Sequence, residues 1–328
     1  MILGGLLVPL FKGRAKQALL LLLPVISFIN LLQLPHGSHW VYPFLGDQII
    51  LARVDKLSLI FGYIFHLVAF LSALYALHVK DNVQNVAGTV YAGAAIGAVF
   101  AGDMFTLFVF WEMLTISATF LILARRTERA LGAGFRYFMV HVAGGLCLLA
   151  GIIMHVSQTG SAAFDLIGLG TTASWFIFVG IGVNCAWPFL HPWLTDAYPE
   201  ATITGTIFLS AFTTKTAIYA LARAFPGTEE LIFIGGAMAA FPIFYAVIEN
   251  DLRRVLAYSL INQVGFMVVG IGIGTALSIN GADSEIEPPD FASSDPAEIQ
   301  FLGSHSNSRS SVQIINGRMT KNVFRGRV

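Results

Sequence analysis

Ten apolar segments dominate the chain, near residues 1–11, 17–34, 57–78, 84–102, 104–124, 130–156, 172–190, 201–224, 230–248 and 252–277, and most of the charge lies in the connections between them. Roughly 20 apolar residues carry a helix across a ~30 Å hydrocarbon core, and most of these segments are that long. The pattern predicts an all-α fold, a polytopic membrane helix bundle of about ten helices. The first segment, "MILGGLLVPLF", reaches only ~17 Å as a helix and lacks the basic start and small-residue cleavage site of a signal peptide. It reads as the remainder of a first helix whose start is missing.

Composition agrees: 56% of residues are hydrophobic and only 12% are charged, far from soluble-domain averages. The net charge is zero, so no basic surface argues for nucleic acid. Cys147 and Cys185 both lie inside apolar segments and read as packed single thiols. No metal-ligand cluster and no GxGxxG, CxxC or haem pattern occurs, so neither a metal nor another cofactor is expected. The glycine runs Gly93–Gly97 and Gly270–Gly274 have the small-residue spacing of close helix packing.

Lys and Arg collect in "KGRAK" (12–16), at Lys80, in "RRTER" (125–129) and in "ENDLRR" (249–254). These positions fall on one side of the bundle, which makes that side cytoplasmic and the N-terminus external. Arg223, at the far end of its segment, is an exception. The last 51 positions, 278–328, hold 11 of the 38 charged residues. Their serine, proline and mixed charge predict a disordered or non-native tail, resembling a disrupted reading frame.

Two ionisable residues sit near the middle of spanning segments, where charge is costly and marks function by default. Glu112 lies in "DMFTLFVFWEMLTISATFLIL" and Lys215 in "ATITGTIFLSAFTTKTAIYALAR". They could form a structural ion pair locking two helices, or a proton relay in which the protonation of each group depends on whether its partner is near. His66 and His155 read as packed helical histidines. His141, one turn beyond Arg136 and Tyr137, is an even candidate for a relay. His191 lies between Pro188 and Pro192 in "WPFLHPW", where the seventh segment has to break. A helix broken at membrane depth faces protein or a water-filled cavity, and in transporters such breaks mark ion pathways.

The blocks "DMFTLFVFWEMLTISATFLI", "FLHPWLTDAYPEA", "FTTKTAIYALAR" and "DLRRVLAYSLINQVGFMVVGIGIG" resemble, in order, the proton-translocating membrane subunits shared by Mrp-type sodium/proton antiporters, the D-type subunit in particular, and respiratory complex I. The resemblance covers about residues 1–277. It implies N-terminal helices over 1–83, a complete antiporter-like five-helix repeat with a broken seventh helix over 84–224, and the start of a second, incomplete repeat over 225–277. By position, Glu112 matches the glutamate of the family's fifth helix and Lys215 the lysine of its eighth, while His191, Trp193 and Asp196 match the segment after the break. The lysine usual in the seventh helix falls at Asn184, which carries no proton charge. The histidine-bearing eleventh helix and the broken twelfth have no counterpart.

The resemblance implies a membrane subunit of a multi-subunit monovalent cation (sodium)/proton antiporter in a bacterial plasma membrane, with further membrane subunits, protons and cations as partners. Protons would pass through Glu112, Asn184, His141, His191, Asp196 and Lys215. One alternative is a proton-pumping, cofactor-free membrane subunit of an NADH-quinone oxidoreductase or related redox complex. A third reading is a truncated fragment that packs without conducting.

Overall fold

The computed structural model describes residues 1–44, 47–275 and 278, together with the backbone of 312–315 and 318–321. Residues Met1–Ser284 form one compact unit and Glu285–Val328 another. Eleven α-helices make up the described part of the first unit: α1 (Ile2–Leu7), α2 (Gly13–Gln33), α3 (Lys56–Tyr75), α4 (Asn82–Phe100), α5 (Met104–Leu123), α6 (Glu128–Thr159), α7 (Thr172–Asn184), α8 (Pro192–Glu200), α9 (Ile203–Ala224), α10 (Glu229–Ile248) and α11 (Leu252–Ile273). Ten of them fall on the ten apolar segments of the sequence, and α8 is an additional short helix in the connection between the seventh and eighth, just after the break. Among the described residues, seven helical segments are both long and apolar enough to cross a membrane. The 22 residues of α9 also reach ~33 Å, but Lys215, Arg223 and the threonines make this helix more polar.

Side-chain oxygens start most of the helices. Asp55, Asp81, Asp103, Thr127, Thr171 and Thr202 each accept from a backbone N–H of the following first turn, which satisfies donors that have no partner within the helix. Glycine sets the closest approaches, as expected for the 93–97 and 270–274 runs. A Cβ on Gly97 would stand 2.5 Å from Phe110 of α5, and one on Gly272 would stand 2.8 Å from the backbone of α10.

α9 is the central element and packs against α3, α4, α5, α7, α8 and α11. Helices at the periphery present large apolar side chains outward, for example Leu67, Phe135, Phe233 and Phe266. This is the distribution a lipid-embedded bundle requires, since lipid tails cost apolar side chains nothing.

Charged contacts sort to the two ends. At one end Lys16 Nζ donates to Lys80 O, Arg126 pairs with Asp81, Arg125 donates to Pro199 O, and Arg253 donates to Ala201 O. The four basic clusters therefore share an end of the bundle. At the other end lies a feature absent from the sequence expectation, an antiparallel hairpin of β1 (Gly37–Phe44) and β2 (Asp47–Val54). It grips the α4–α5 turn: Ile50 N donates to the buried Asp103 carboxylate at 2.7 Å, and Gly102 N donates to Ile50 O at 3.0 Å.

Arg223, the charge that does not fit the one-sided pattern, is held at that hairpin end. Its guanidinium donates twice to Asp55, at 2.8 and 2.9 Å, and once to Tyr219 Oη at 2.8 Å. The charge on α9 is thus neutralised by the N-cap of α3. In the second unit, Val312–Ile315 and Arg318–Lys321 pair as antiparallel strands β3 and β4. The expectation of a disordered or non-native tail otherwise falls outside the described residues.

Burial alone would raise the Asp55 carboxyl, but hydrogen bonds from Arg223 and Ser58 and the charges of Arg223 and Arg53 outweigh it and hold the group at about 2. Folding thus favours the ionised form: the stabilisation is complete above the ordinary carboxyl value of 3.8 and is lost as pH falls toward 2. Asp55→Ala strands an Arg223 side chain that is only 8% exposed. It should cost at most about 3 kcal/mol, since Asp55 itself is partly solvated, and should flatten the acid limb of a thermal melt followed from pH 5 to pH 2.

Candidate functional site

Glu112 and Lys215 enter no ion pair among the described residues, so the structural lock is not the arrangement seen here. Lys215 Nζ donates to Ser210 O at 3.0 Å, a carbonyl of its own helix. The Glu112 carboxylate lies against α6, where a Cβ on Gly145 would collide with Oε1. Gly144, its neighbour, meets Val183 of α7, with a Cβ position 2.9 Å from that side chain. The pair Gly144–Gly145 thus lets α6 pass between Glu112 and the end of α7, and brings the carboxylate near the helix break.

The break spans Cys185 to His191. Ala186 and Phe189 take φ of 58° and 68°, left-handed values uncommon for non-glycine residues and concentrated at functional sites. Trp187 folds back onto Gly182, where any Cβ would collide with the indole. Pro192 then starts α8 at its first position, with His191 as N-cap, where proline's missing N–H costs nothing. The break expected from Pro188 and Pro192 is present, and Pro199 lies in the last turn of α8.

His141 is fully buried and stacks on Tyr137, ring centroids 3.9 Å apart, with Trp193 edge-on at 4.4 Å. Its Nδ1 faces Tyr137 O at 2.9 Å. A carbonyl can only accept, so Nδ1 carries a proton, and Nε2, which has no partner, is an acceptor in the neutral ring and a donor in the charged one. Trp193 in turn donates to Val183 O at 2.9 Å. His141 therefore touches α8 and, through Trp193, α7. His66 differs, because Nδ1 donates to Gly62 O and Nε2 accepts from Ser27, a packed histidine with both nitrogens satisfied.

Two candidate residues turn elsewhere. His191 rests on Phe241 of α10, centroids 4.6 Å apart, facing the start of the expected second repeat. Both oxygens of Asp196 are held by Arg136 of α6, at 2.7 and 2.9 Å, so this carboxylate anchors α8 at the surface and does not join Glu112 and Lys215.

Buried polar atoms without a hydrogen-bond partner concentrate in this region. They include Glu112 Oε1, His141 Nε2, Asn184 Oδ1 and His191 Nδ1. The indoles of Trp111 and Trp187 and the hydroxyls of Thr214 and Thr216, on either side of Lys215, share the condition. Burying such a group unpaired costs about 1–3 kcal/mol, and internal water is the partner that buried polar groups ordinarily find where protein offers none. The threonines were not singled out from sequence. No sequence signal marked them, since the residues just before and just after Lys215 project from other faces of the helix.

Tyr91 of α4 supplies the other unanticipated feature. Its phenol accepts from Thr213 N at 3.0 Å and donates to Leu209 O at 3.4 Å, the two backbone groups that a regular helix pairs with each other. Tyr91 thus ties α4 to α9 two residues before Lys215.

A bundle of apolar helices with a break between α7 and α8, beside a central helix that carries a lysine, defines the class: an antiporter-like membrane subunit fold. Residues 101–284 match the family described as NADH:quinone oxidoreductase/Mrp antiporter, TM, and the chain belongs to that family. It is 30% identical to NADH-quinone oxidoreductase subunit N of Desulforudis audaxviator over 84% of this chain and 61% of that protein. It is 34% identical to the D-type Na(+)/H(+) antiporter subunit of Alkalihalophilus pseudofirmus over 57% of this chain and 42% of that protein. The chain thus spans about half the length of the curated relatives it matches. A chain in the structure of the Mrp complex from Dietzia sp. DQ12-45-1b superposes with a TM-score of 0.73 at 25% identity, covering 86% of this chain and 34% of that one. The sequence resemblance and the all-α bundle with a broken seventh segment are both upheld.

Gly145→Ala places a methyl where Glu112 Oε1 stands. The flexible carboxylate end yields, so the variant should fold with a melting temperature near wild type while the Glu112 side chain moves. Carboxylate infrared difference spectra on titration, compared with Glu112→Gln, read that movement.

Proposed function

We propose that this chain is a proton-translocating membrane subunit of a multi-subunit monovalent cation/proton antiporter of the Mrp type, located in a bacterial plasma membrane. The observation that carries the proposal is the band of unpartnered buried polar atoms on contacting helices, Glu112 of α5, His141 of α6, Asn184 of α7 and Thr214 and Thr216 of α9. Water in that band would join the groups by hydrogen bonds, and protons move along such chains.

Glu112 is the carboxylate that binds and releases a proton near the α6 glycine pair. His141, neutral with Nε2 open, accepts a hydrogen bond or a proton between α6 and the break. Asn184 cannot take a proton and serves as a hydrogen-bonding waypoint. Lys215 holds its proton against Ser210 O, and approach of negative charge along the band strengthens that hold while its withdrawal weakens it. His191 passes the influence toward α10, and the Arg136–Asp196 pair fixes α8 in place. The chain supplies no cofactor chemistry in this reading, and coupling to cation movement is electrostatic, through partner subunits.

The 30% identity to an NADH-quinone oxidoreductase subunit supports the second reading, in which a redox partner drives the same path. The two separate in everted vesicles bearing the assembled complex. For the antiporter, added sodium dissipates an imposed pH gradient without NADH; for the redox complex, NADH builds the gradient and sodium alone does nothing. Under either reading Lys215→Ala or Glu112→Ala should abolish proton translocation with assembly on a native gel intact. Normal transport in both variants would overturn the relay.

A further inference from the structure

Two cavities on the outside of the bundle adjoin and make a slot of unlike halves. The inner half, about 510 Å³, lies between α1, α4 and α5 and is walled by apolar side chains, among them Leu6, Val86, Val90, Ile116 and Phe120. The other half, about 590 Å³, opens at the bundle end where the basic clusters meet and is lined by Lys12, Lys16, Gln17, His78 and Lys80. Pro9 and Asn82 line both halves, so the two are adjacent and share a wall.

The geometry points to a binding site for one anionic glycerophospholipid, its acyl chain in the apolar half and its phosphate among the lysines. The dimensions fit. The apolar wall on α4 runs from Asn82 to Val90, which at 1.5 Å per residue is ~12 Å, close to the ~15 Å depth of one leaflet's hydrocarbon. On α5 the same wall runs from Phe120 down to Met113, from the basic end to mid-membrane. A slot that starts at the interface and ends at the midplane matches a lipid tail, and a peptide helix lying across the bundle would not follow it.

The charges fit as well. Lys16 is committed to the wall, donating to Lys80 O at 3.0 Å and to Asn82 Oδ1 at 2.8 Å. The side chains of Lys12 and Lys80 are exposed and enter no ion pair among the described residues. The nearby acid, Asp81, is paired with Arg126 at 3.3 Å. Two uncompensated ammonium groups at the mouth of an apolar slot attract a phosphate, and basic pockets between transmembrane helices bind anionic headgroups in this way. The slot ends at Met113, the residue after Glu112, so an ordered tail would seal the lipid side of the helix that carries the carboxylate.

The test uses the purified chain in mild detergent, incubated with vesicles of phosphatidylglycerol or of phosphatidylcholine, with retained lipid read by native mass spectrometry. One phosphatidylglycerol per chain should be retained in preference to phosphatidylcholine. Lys12→Ala with Lys80→Ala should weaken that retention about 30-fold, the loss expected for two interfacial lysines. Val86→Trp, which fills the apolar half, should abolish it with the lysines in place. Gel filtration and a melt in lipid-free detergent confirm folding of each variant. Because both lysines are exposed, the charge variant decides the matter even if Val86→Trp misfolds. Equal retention of the two lipids, or phosphatidylglycerol retention unchanged in the lysine variant, overturns the proposal; the second outcome would mark the slot as an apolar docking groove.

Discussion

An ammonium group near the middle of a lipid-embedded bundle must be solvated by the protein itself, and much of the architecture answers to that need. Lys215 sits on α9, the helix most fully surrounded by others, and its Nζ donates to a carbonyl of its own helix. Around it the fold supplies polar atoms in excess of protein partners, on α5, α6, α9 and the α7–α8 break. Few arrangements keep such groups in a membrane without unfolding, and a hydrated interior is the usual one. The break adds to these groups, since Asn184 Oδ1, Trp187 Nε1 and His191 Nδ1 at its edges are buried without a partner.

The bundle is pinned at both ends so that its interior can remain loosely satisfied. Arg223 and Asp55 join the far end of α9 to the start of α3, while Arg125, Arg136 and Arg253 hold α8 from three directions. A helix as short as α8 has few backbone bonds of its own. Its position depends on these arginines, which is why the carboxylate of Asp196 acts as an anchor. Tyr91, contacting Leu209 and Thr213, ties α4 to α9 close to Lys215.

Much of the fold was legible in the sequence, because lipid imposes a simple rule: about 20 apolar residues in each helix and charge at the ends. Glu112, Lys215 and the break were visible for the same reason, since each violates the rule. The β1–β2 hairpin was not, because "GSHWVYPF" and "DQIILARV" carry no clean two-residue alternation and are held by contacts to Gly102 and Asp103. Nor could the sequence say that Asp196 would meet Arg136, 60 residues away, or that His191 would turn to α10.

The order of residues alone makes this chain a membrane helix bundle, sets where its helices start and stop, and marks which charges are out of place in lipid. Hydrophobicity and backbone chemistry are local properties that a run of residues carries with it. Only the packed bundle leaves Glu112 and Lys215 unpaired, lets Gly144 and Gly145 bring the carboxylate beside the break, and sets Asp55 against Arg223. Those outcomes depend on which helices cross and how closely, and crossing distance is set by the small residues of both partners at the point of contact.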